Sequence, residues 1–184
     1  LKSPEHISAQ LIGFPSSEQA GECVGRIISA GIIPAGMEMM DRPAIHAAEE
    51  VCHAGYPLDV EALLIVELDG PLVEIEHCQG EIDRIAKECG AVVSRTSESE
   101  AERLTFWAGR KAAFPDYMCM DGTIPRGALP KVLARMSELS QQYGLRVANV
   151  FHAGDGNLHP LILFDANVPG EVEKCEAFGA DILK

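Results

Sequence analysis

The sequence predicts an α+β fold in which an antiparallel sheet is covered by helices on one side, built from repeated ferredoxin-like split units. Strand-like and helical segments alternate, and the same order returns further along the chain. The strand-like segments mix polar with apolar residues, unlike the continuous apolar strands of a fully buried parallel sheet. No Pro-, Gly- or Ser-rich linker divides the 184 residues. We therefore expect one domain over residues 1–184.

Helices are predicted where apolar residues recur every three or four positions. Ser16 with Gln19 provides a capping box for the first helix, and Ser97 with Glu100 provides one for the fourth. Gly31 suits the C-terminal cap of the first helix. The predicted helices span residues 17–30, 43–54, 71–89, 98–113 and 126–143.

Short runs rich in apolar and β-branched residues between the helices predict strands. Glu38 and Glu67 each lie inside such a run. A buried functional acid is one interpretation of these residues, but we expect solvated carboxylates at the edge of the sheet. The predicted strands span residues 7–14, 36–40, 62–68, 91–95, 120–124, 145–151 and 158–164.

The charge balance limits the classes of partner. The chain has 28 acidic and 15 basic residues, a formal charge of −13. Nucleic acids and anionic membrane surfaces need clustered Lys and Arg, so neither is an expected partner. No apolar run approaches the length of a membrane span. The 6 cysteines show no CxxC pair, so we expect reduced thiols in a cytoplasmic protein.

The segment with the clearest chemistry spans residues 151–160, which read FHAGDGNLHP. Asp155-Gly156 predicts a two-residue hairpin turn, since both positions of that turn favour positive φ. Such a turn pairs His152 with His159 on one side of the sheet. Directly opposed Cβ atoms lie ~4.5–5.5 Å apart, close enough for both imidazoles to meet one ion.

Two imidazoles are ligands for Zn, Mn or a similar divalent metal, and a third, carboxylate ligand is then needed. Two incidental histidines at the base of a hairpin are the alternative interpretation. A metallo-phosphoesterase is a weaker hypothesis, because the further Asp and His motifs of such a site are missing. Arg110, beside Trp107 on the predicted fourth helix, either binds a substrate carboxylate as a bidentate partner or stabilises the helix end.

Three stretches together resemble the C-terminal substrate domain, or cap domain, of the FAD-linked oxidases. This family includes the glycolate oxidase flavoprotein subunit, to which the likeness is closest, and D-lactate dehydrogenase. The stretches are residues 34–42 (PAGMEMMDR), 107–115 (WAGRKAAFP) and 152–165 (HAGDGNLHPLILFD). Relatives that have Lys near position 119 and Asn near position 161 differ from this chain, which has Cys119 and Leu161.

The resemblance implies an FAD domain N-terminal to this chain, capped by the present domain over a 2-hydroxy acid. It implies that His152 and His159 bind the divalent metal and that Arg110 binds the substrate carboxylate. We assign Asn157 to substrate binding as well. The third metal ligand and a catalytic histidine then come from a Glu-His-Gly motif downstream, so we expect no catalytic residue within this chain.

The expected function is oxidation of glycolate or D-lactate to the 2-oxo acid with hydride transfer to FAD. The chain has no initiator Met and no clear helix stop at its end, so we expect a fragment without flavin or turnover of its own. Other oxidase subunits are further expected partners. A non-catalytic ferredoxin-like domain for small-molecule binding or assembly is the alternative.

Overall fold

A computed structural model describes residues 4–108, 117–152 and 154–184. The helices are α1 (Ser17–Ser29), α2 (Arg42–Cys52), α3 (Leu72–Glu88), α4 (Glu100–Ala108), α5 (Leu129–Tyr143) and α6 (Glu171–Ile182). The strands are β1 (His6–Phe14), β2 (Gly36–Asp41), β3 (Ala62–Gly70), β4 (Val93–Thr96), β5 (Tyr117–Cys119), β6 (Gly122–Thr123), β7 (Arg146–His152), β8 (Asn157–Leu158) and β9 (Pro160–Leu163). Within these ranges, no helix combines the length and the apolar character that a membrane span requires.

The first unit of the fold is a ferredoxin-like split unit, as the sequence predicts. Its four strands pair antiparallel in the order β4-β1-β3-β2. Helices α1 and α3 connect the strands, and α2 is an addition between β2 and β3. The α+β fold class is therefore confirmed.

The second unit repeats the first in part. Strand β9 pairs antiparallel with both β5 and β7, which reproduces the β1-β3-β2 arrangement as β5-β9-β7. The two units join where β2 pairs antiparallel with β7, which places Glu38 opposite His152. We call this the β2–β7 junction.

Helices lie on both faces of the sheet, so the expectation of one-sided cover was wrong. On one face, residues of α1, α3 and α5 such as Ile27, Ile82 and Leu133 form a core with β3. On the other face, Ile45 of α2 and Phe106 of α4 belong to a second core. The reason is visible in β3, where residues 62–66 are all buried. Because successive side chains of a strand point to opposite faces, this burial requires helices on both faces of the sheet.

Local signals placed most element ends correctly. The Ser16 hydroxyl accepts a hydrogen bond from the Gln19 backbone N–H at 3.2 Å, as the capping box predicts. The fourth helix begins at Glu100 instead, and Ser99 accepts from the Glu102 N–H at 3.2 Å. The single strand predicted over residues 120–124 is wrong, because β5 and β6 separate there to pair with different partners, β9 and β8.

Asp41 is a buried acid at the β2–β7 junction. One carboxylate oxygen accepts from the Ala44 N–H at 3.1 Å and caps α2. The other accepts from the backbone N–H and the side-chain amide of Asn149 on β7, both at 2.8 Å. Burial raises the pKa of Asp41 to about 7, although these hydrogen bonds act in the opposite direction.

Replacement of Ile65 tests the cover of the second face. Ile65 is fully buried there, so Ile65→Ala is expected to lower the free energy of unfolding by ~2–5 kcal/mol. Val73→Ala is the control, since Val73 is 77% exposed. Urea denaturation measures both variants. Equal, small effects of the two substitutions would show that this face is open to solvent.

Asp41 is expected to make stability depend on pH. Its pKa is raised in the folded state. Its contribution to the free energy of unfolding is therefore fully present below the ordinary pKa of 3.8 and is lost as the pH rises through about 7. Urea denaturation across this range should give a free energy of unfolding that falls with pH in the wild type and falls less in Asp41→Asn. The exposed Asp59 provides the control variant Asp59→Asn. Parallel pH profiles for wild type and Asp41→Asn would contradict the assignment.

Candidate active site

The two histidines of the predicted hairpin lie side by side at the end of β7. Their ring centroids are 5.6 Å apart, and the rings meet edge to face at 80°. His152 is the last residue of β7, and His159 lies between β8 and β9. The predicted proximity of the two imidazoles is therefore confirmed.

The predicted hairpin register was wrong by two residues. His152 pairs with Asn157, so the connection is longer than the two residues Asp155-Gly156. Tertiary hydrogen bonds hold this longer turn, since the Gly154 N–H donates to the Met37 carbonyl at 3.4 Å. A shift of two residues keeps each side chain on its original face. The histidines therefore still meet, as diagonal neighbours.

Glu38 fixes the orientation of the first histidine. Its carboxylate oxygen lies 2.5 Å from Nδ1 of His152, across the β2–β7 junction. Glu38 is only 3% exposed, so the expected solvated carboxylate at a sheet edge was wrong. The contact occurs because Glu38 and His152 are register partners on neighbouring antiparallel strands.

His159 has polar neighbours of its own. The Asn157 side-chain nitrogen lies 3.3 Å from Nε2 of His159. An Asp121 carboxylate oxygen lies 3.6 Å from Nδ1 of the same ring. Asn157 is thus beside the histidine pair, where the sequence predicted a substrate-binding residue, and the structure leaves its role a prediction.

A cleft of about 500 Å³ opens beside His152. Its polar lining includes Glu38, Glu67 and Arg103, and its apolar lining includes Met37 and Trp107. A cleft of this size and mixed lining is typical of a small-molecule site.

Glu67 is the second predicted acid, and it is paired as well as partly buried. Its carboxylate accepts hydrogen bonds from Arg103 at 2.7 Å and from the Trp107 indole N–H at 2.8 Å. This corrects the expectation of a solvated residue. Sequence reasoning missed the group because its members lie on β3 and α4, far apart in the chain. The signal available in the sequence was an acidic residue flanked by apolar residues within a strand, Glu38 in β2 and Glu67 in β3.

The fit of a divalent metal depends on the donors at this site. Two imidazoles in contact, one of them backed by a buried carboxylate, are donors suited to Zn or Mn. Over the part of the chain that the structure describes, no group of three His, Cys, Asp or Glu side chains is arranged to hold a metal ion. These residues therefore fit as part of a ligand set.

The other predicted site residue, Arg110, lies outside the described residues. The described part of α4 ends at Ala108, and Trp107 and Arg103 on that helix line the cleft. The assignment of Arg110 to the substrate carboxylate stays a prediction.

Curated relatives are similar over the whole chain. The glycolate oxidase subunit GlcD of Escherichia coli (strain K12) is 54% identical over 191 residues, which cover 100% of this chain and 38% of that protein. The subunit GlcD of Bacillus subtilis (strain 168) is 30% identical and also covers 100% of the chain. A probable mitochondrial D-lactate dehydrogenase of Danio rerio is 25% identical. The chain thus spans well under half of the length of these relatives.

Solved structures show the same fold at low sequence identity. A 4-ethylphenol oxidase from Gulosibacter chungangensis superimposes with a TM-score of 0.70 at 15% identity, covering 99% of this chain and 44% of that chain. A p-cresol methylhydroxylase gives a TM-score of 0.68 at 12% identity, covering 99% of this chain and 43% of that chain. The family described as FAD linked oxidases, C-terminal domain, matches residues 3–184. The chain therefore belongs to the C-terminal domain family of the FAD-linked oxidases.

Proposed function

We propose that this chain is the substrate-binding domain of an FAD-dependent dehydrogenase that oxidises a small 2-hydroxy acid, such as glycolate or D-lactate, to the 2-oxo acid. The observation that carries the proposal is the histidine pair, of which His152 lines the cleft and is backed by the buried Glu38. The names of the relatives, glycolate oxidase subunit and D-lactate dehydrogenase, support it.

An FAD domain in the same polypeptide is part of the proposal. The chain covers only 38% of the Escherichia coli relative, which leaves room in such a protein for a domain that binds the flavin. The cleft, at about 500 Å³, is larger than a two- or three-carbon acid, so a flavin ring can share it. All 6 cysteines are free thiols, which supports a reducing compartment, and we place the enzyme in the cytoplasm.

In this proposal His152 and His159 hold a divalent metal, and a third ligand comes from outside the described residues. A carboxylate on Nδ1 of His152 favours metal ligation through Nε2 and fixes the orientation of the ring. Bound FAD supplies the hydride acceptor, and a bound divalent ion supplies positive charge beside the substrate hydroxyl.

The protein's own side chains then bind and orient the substrate. Arg110 binds the carboxylate through a bidentate pair of hydrogen bonds. Asn157, beside His159, offers its amide to a substrate oxygen. Holding the acid at two points fixes the direction of its Cα–H bond, and such orientation lowers the entropic part of the barrier.

Replacement of the histidines is expected to remove the metal. In the full-length flavoprotein, His152→Ala and His159→Ala should each lower the metal-to-protein ratio, measured by elemental analysis, to near zero. Glu38→Gln should keep the site but weaken metal affinity ~10–100-fold, since it weakens the hold on the His152 ring. His77→Ala, at an exposed position on α3, is the control. Unchanged metal content in both histidine variants would contradict the metal site and favour a non-catalytic domain.

Replacement of Arg110 tests the substrate assignment. Arg110→Lys keeps the charge but loses the planar pair of donors, so kcat/KM for glycolate or D-lactate should fall about 10- to 100-fold. The control is Arg135→Lys on α5, where Arg135 forms an exposed ion pair with Glu138. Steady-state kinetics of the full-length flavoprotein gives both values. An equal kcat/KM for the two variants would remove Arg110 from the site.

A further inference from the structure

One carboxylate of the sheet binds two side chains of α4 at the wall of the cleft. A single oxygen of Glu67 on β3 accepts from both the Trp107 indole N–H and the Arg103 guanidinium, at 2.8 and 2.7 Å. Glu67 and Arg103 are largely buried, with side chains 19% and 14% exposed. Charge-assisted hydrogen bonds with little solvent access hold a side chain in one orientation.

The indole of Trp107 packs against the backbone of Gly36, which has no side chain. Gly36 of β2 is the register partner of Glu67. A Cβ atom added at Gly36 would lie 3.0 Å from Cη2 of Trp107, closer than a normal contact. Glycine at this position therefore allows the ring to lie directly on β2, while Glu67 holds the indole nitrogen.

The helix under this wall is also fixed on its other side. Phe106 is fully buried in the core of the second face. The Tyr56 hydroxyl donates to the Phe106 carbonyl at 2.5 Å, and the Arg95 guanidinium lies 4.9 Å over the Phe106 ring. Trp107 therefore belongs to a firmly held segment, and its ring forms a rigid boundary of the cleft.

The Trp107 ring and the Glu38–His152 pair line the same cleft, and their separation follows from positions on β2. Gly36 and Glu38 are two residues apart on β2, so they share one face and are separated by ~7 Å along the strand. A 2-hydroxy acid bound near His152 has its polar groups at one end and its side chain at the other. Trp107 lines the same cleft as His152, so a substrate side chain that extends from the histidine along β2 would reach the indole.

We propose that Trp107, positioned by Glu67 against Gly36, limits the length of the side chain that the cleft accepts on a 2-hydroxy acid. This inference rests on the proposed function and adds a specificity-determining residue to it. The substrate class is then short-chain 2-hydroxy acids, whose side chain ends at the indole. Arg103 is a positioning residue, since it shares the Glu67 carboxylate with the indole.

The test compares substrates of increasing length in the full-length flavoprotein. Initial rates with an artificial electron acceptor give kcat/KM for glycolate, D-lactate and a five-carbon D-2-hydroxy acid. The variants are Trp107→Ala, Trp107→Phe and Glu67→Gln. Glu138→Gln is the matched control, because it breaks an Arg–Glu pair at 2.9 Å on the exposed surface of α5. Flavin content and thermal midpoint are measured for each variant.

Trp107→Ala is expected to raise the ratio of kcat/KM for the five-carbon acid over glycolate by ~10-fold or more, the size of effect that removing a steric limit in a pocket produces. Trp107→Phe keeps an aromatic ring on Gly36 and should change the ratio less. Glu67→Gln should shift it in the direction of the alanine variant, mainly through KM. The control should leave it unchanged.

Equal loss of kcat/KM for all three acids in Trp107→Ala would overturn the inference and give Trp107 a structural role only. If that variant loses its flavin or fails to fold, Trp107→Phe and Glu67→Gln decide, and unchanged ratios in both overturn the inference. A wild-type enzyme that oxidises none of the three acids would refute the proposed function itself. The two failures are therefore distinguishable.

Discussion

The structure depends on two buried carboxylates at the β2–β7 junction, where the two units of the fold meet. Glu38 contacts His152, and Asp41 accepts two hydrogen bonds from Asn149. Both acids lie on β2 and both partners lie on β7, so the contacts cross the boundary between units. A buried carboxylate without partners is very costly, and these pairings therefore favour one register of β7 on β2.

This constraint explains the position of the candidate site. The register that places Glu38 opposite His152 brings the end of β7 to the cleft beside α4. After His152 the Gly154 N–H donates a hydrogen bond to the Met37 carbonyl on β2. This bond holds the turn that brings His159 beside the His152 ring. One strand pairing thus sets the orientation of one histidine and the approach of the other. Metal binding and substrate binding in the proposed enzyme both depend on it.

The candidate site was predictable in part. Proximity of His152 and His159 followed from their spacing around a turn, because any even shift in register leaves both on one face. The register itself did not follow, since the turn is held by one hydrogen bond that Gly154 donates to Met37 on β2 and one that its Gly156 carbonyl accepts from Ile124. The roles of Glu38, Glu67 and Trp107 could not be read from the chain, because each depends on a partner on a distant element.

Sequence alone determined helices α1 to α5, most strands, the α+β class and the motif that carries the family likeness, whereas α6 was not among the predicted helices. These features depend on periodicity and on interactions within a few residues, which neighbouring side chains encode. Only the tertiary structure decided which faces the helices cover, how the two units join, and which acids are buried. Those outcomes depend on contacts between strands and helices that lie far apart in the chain, where burial and pairing override local preference.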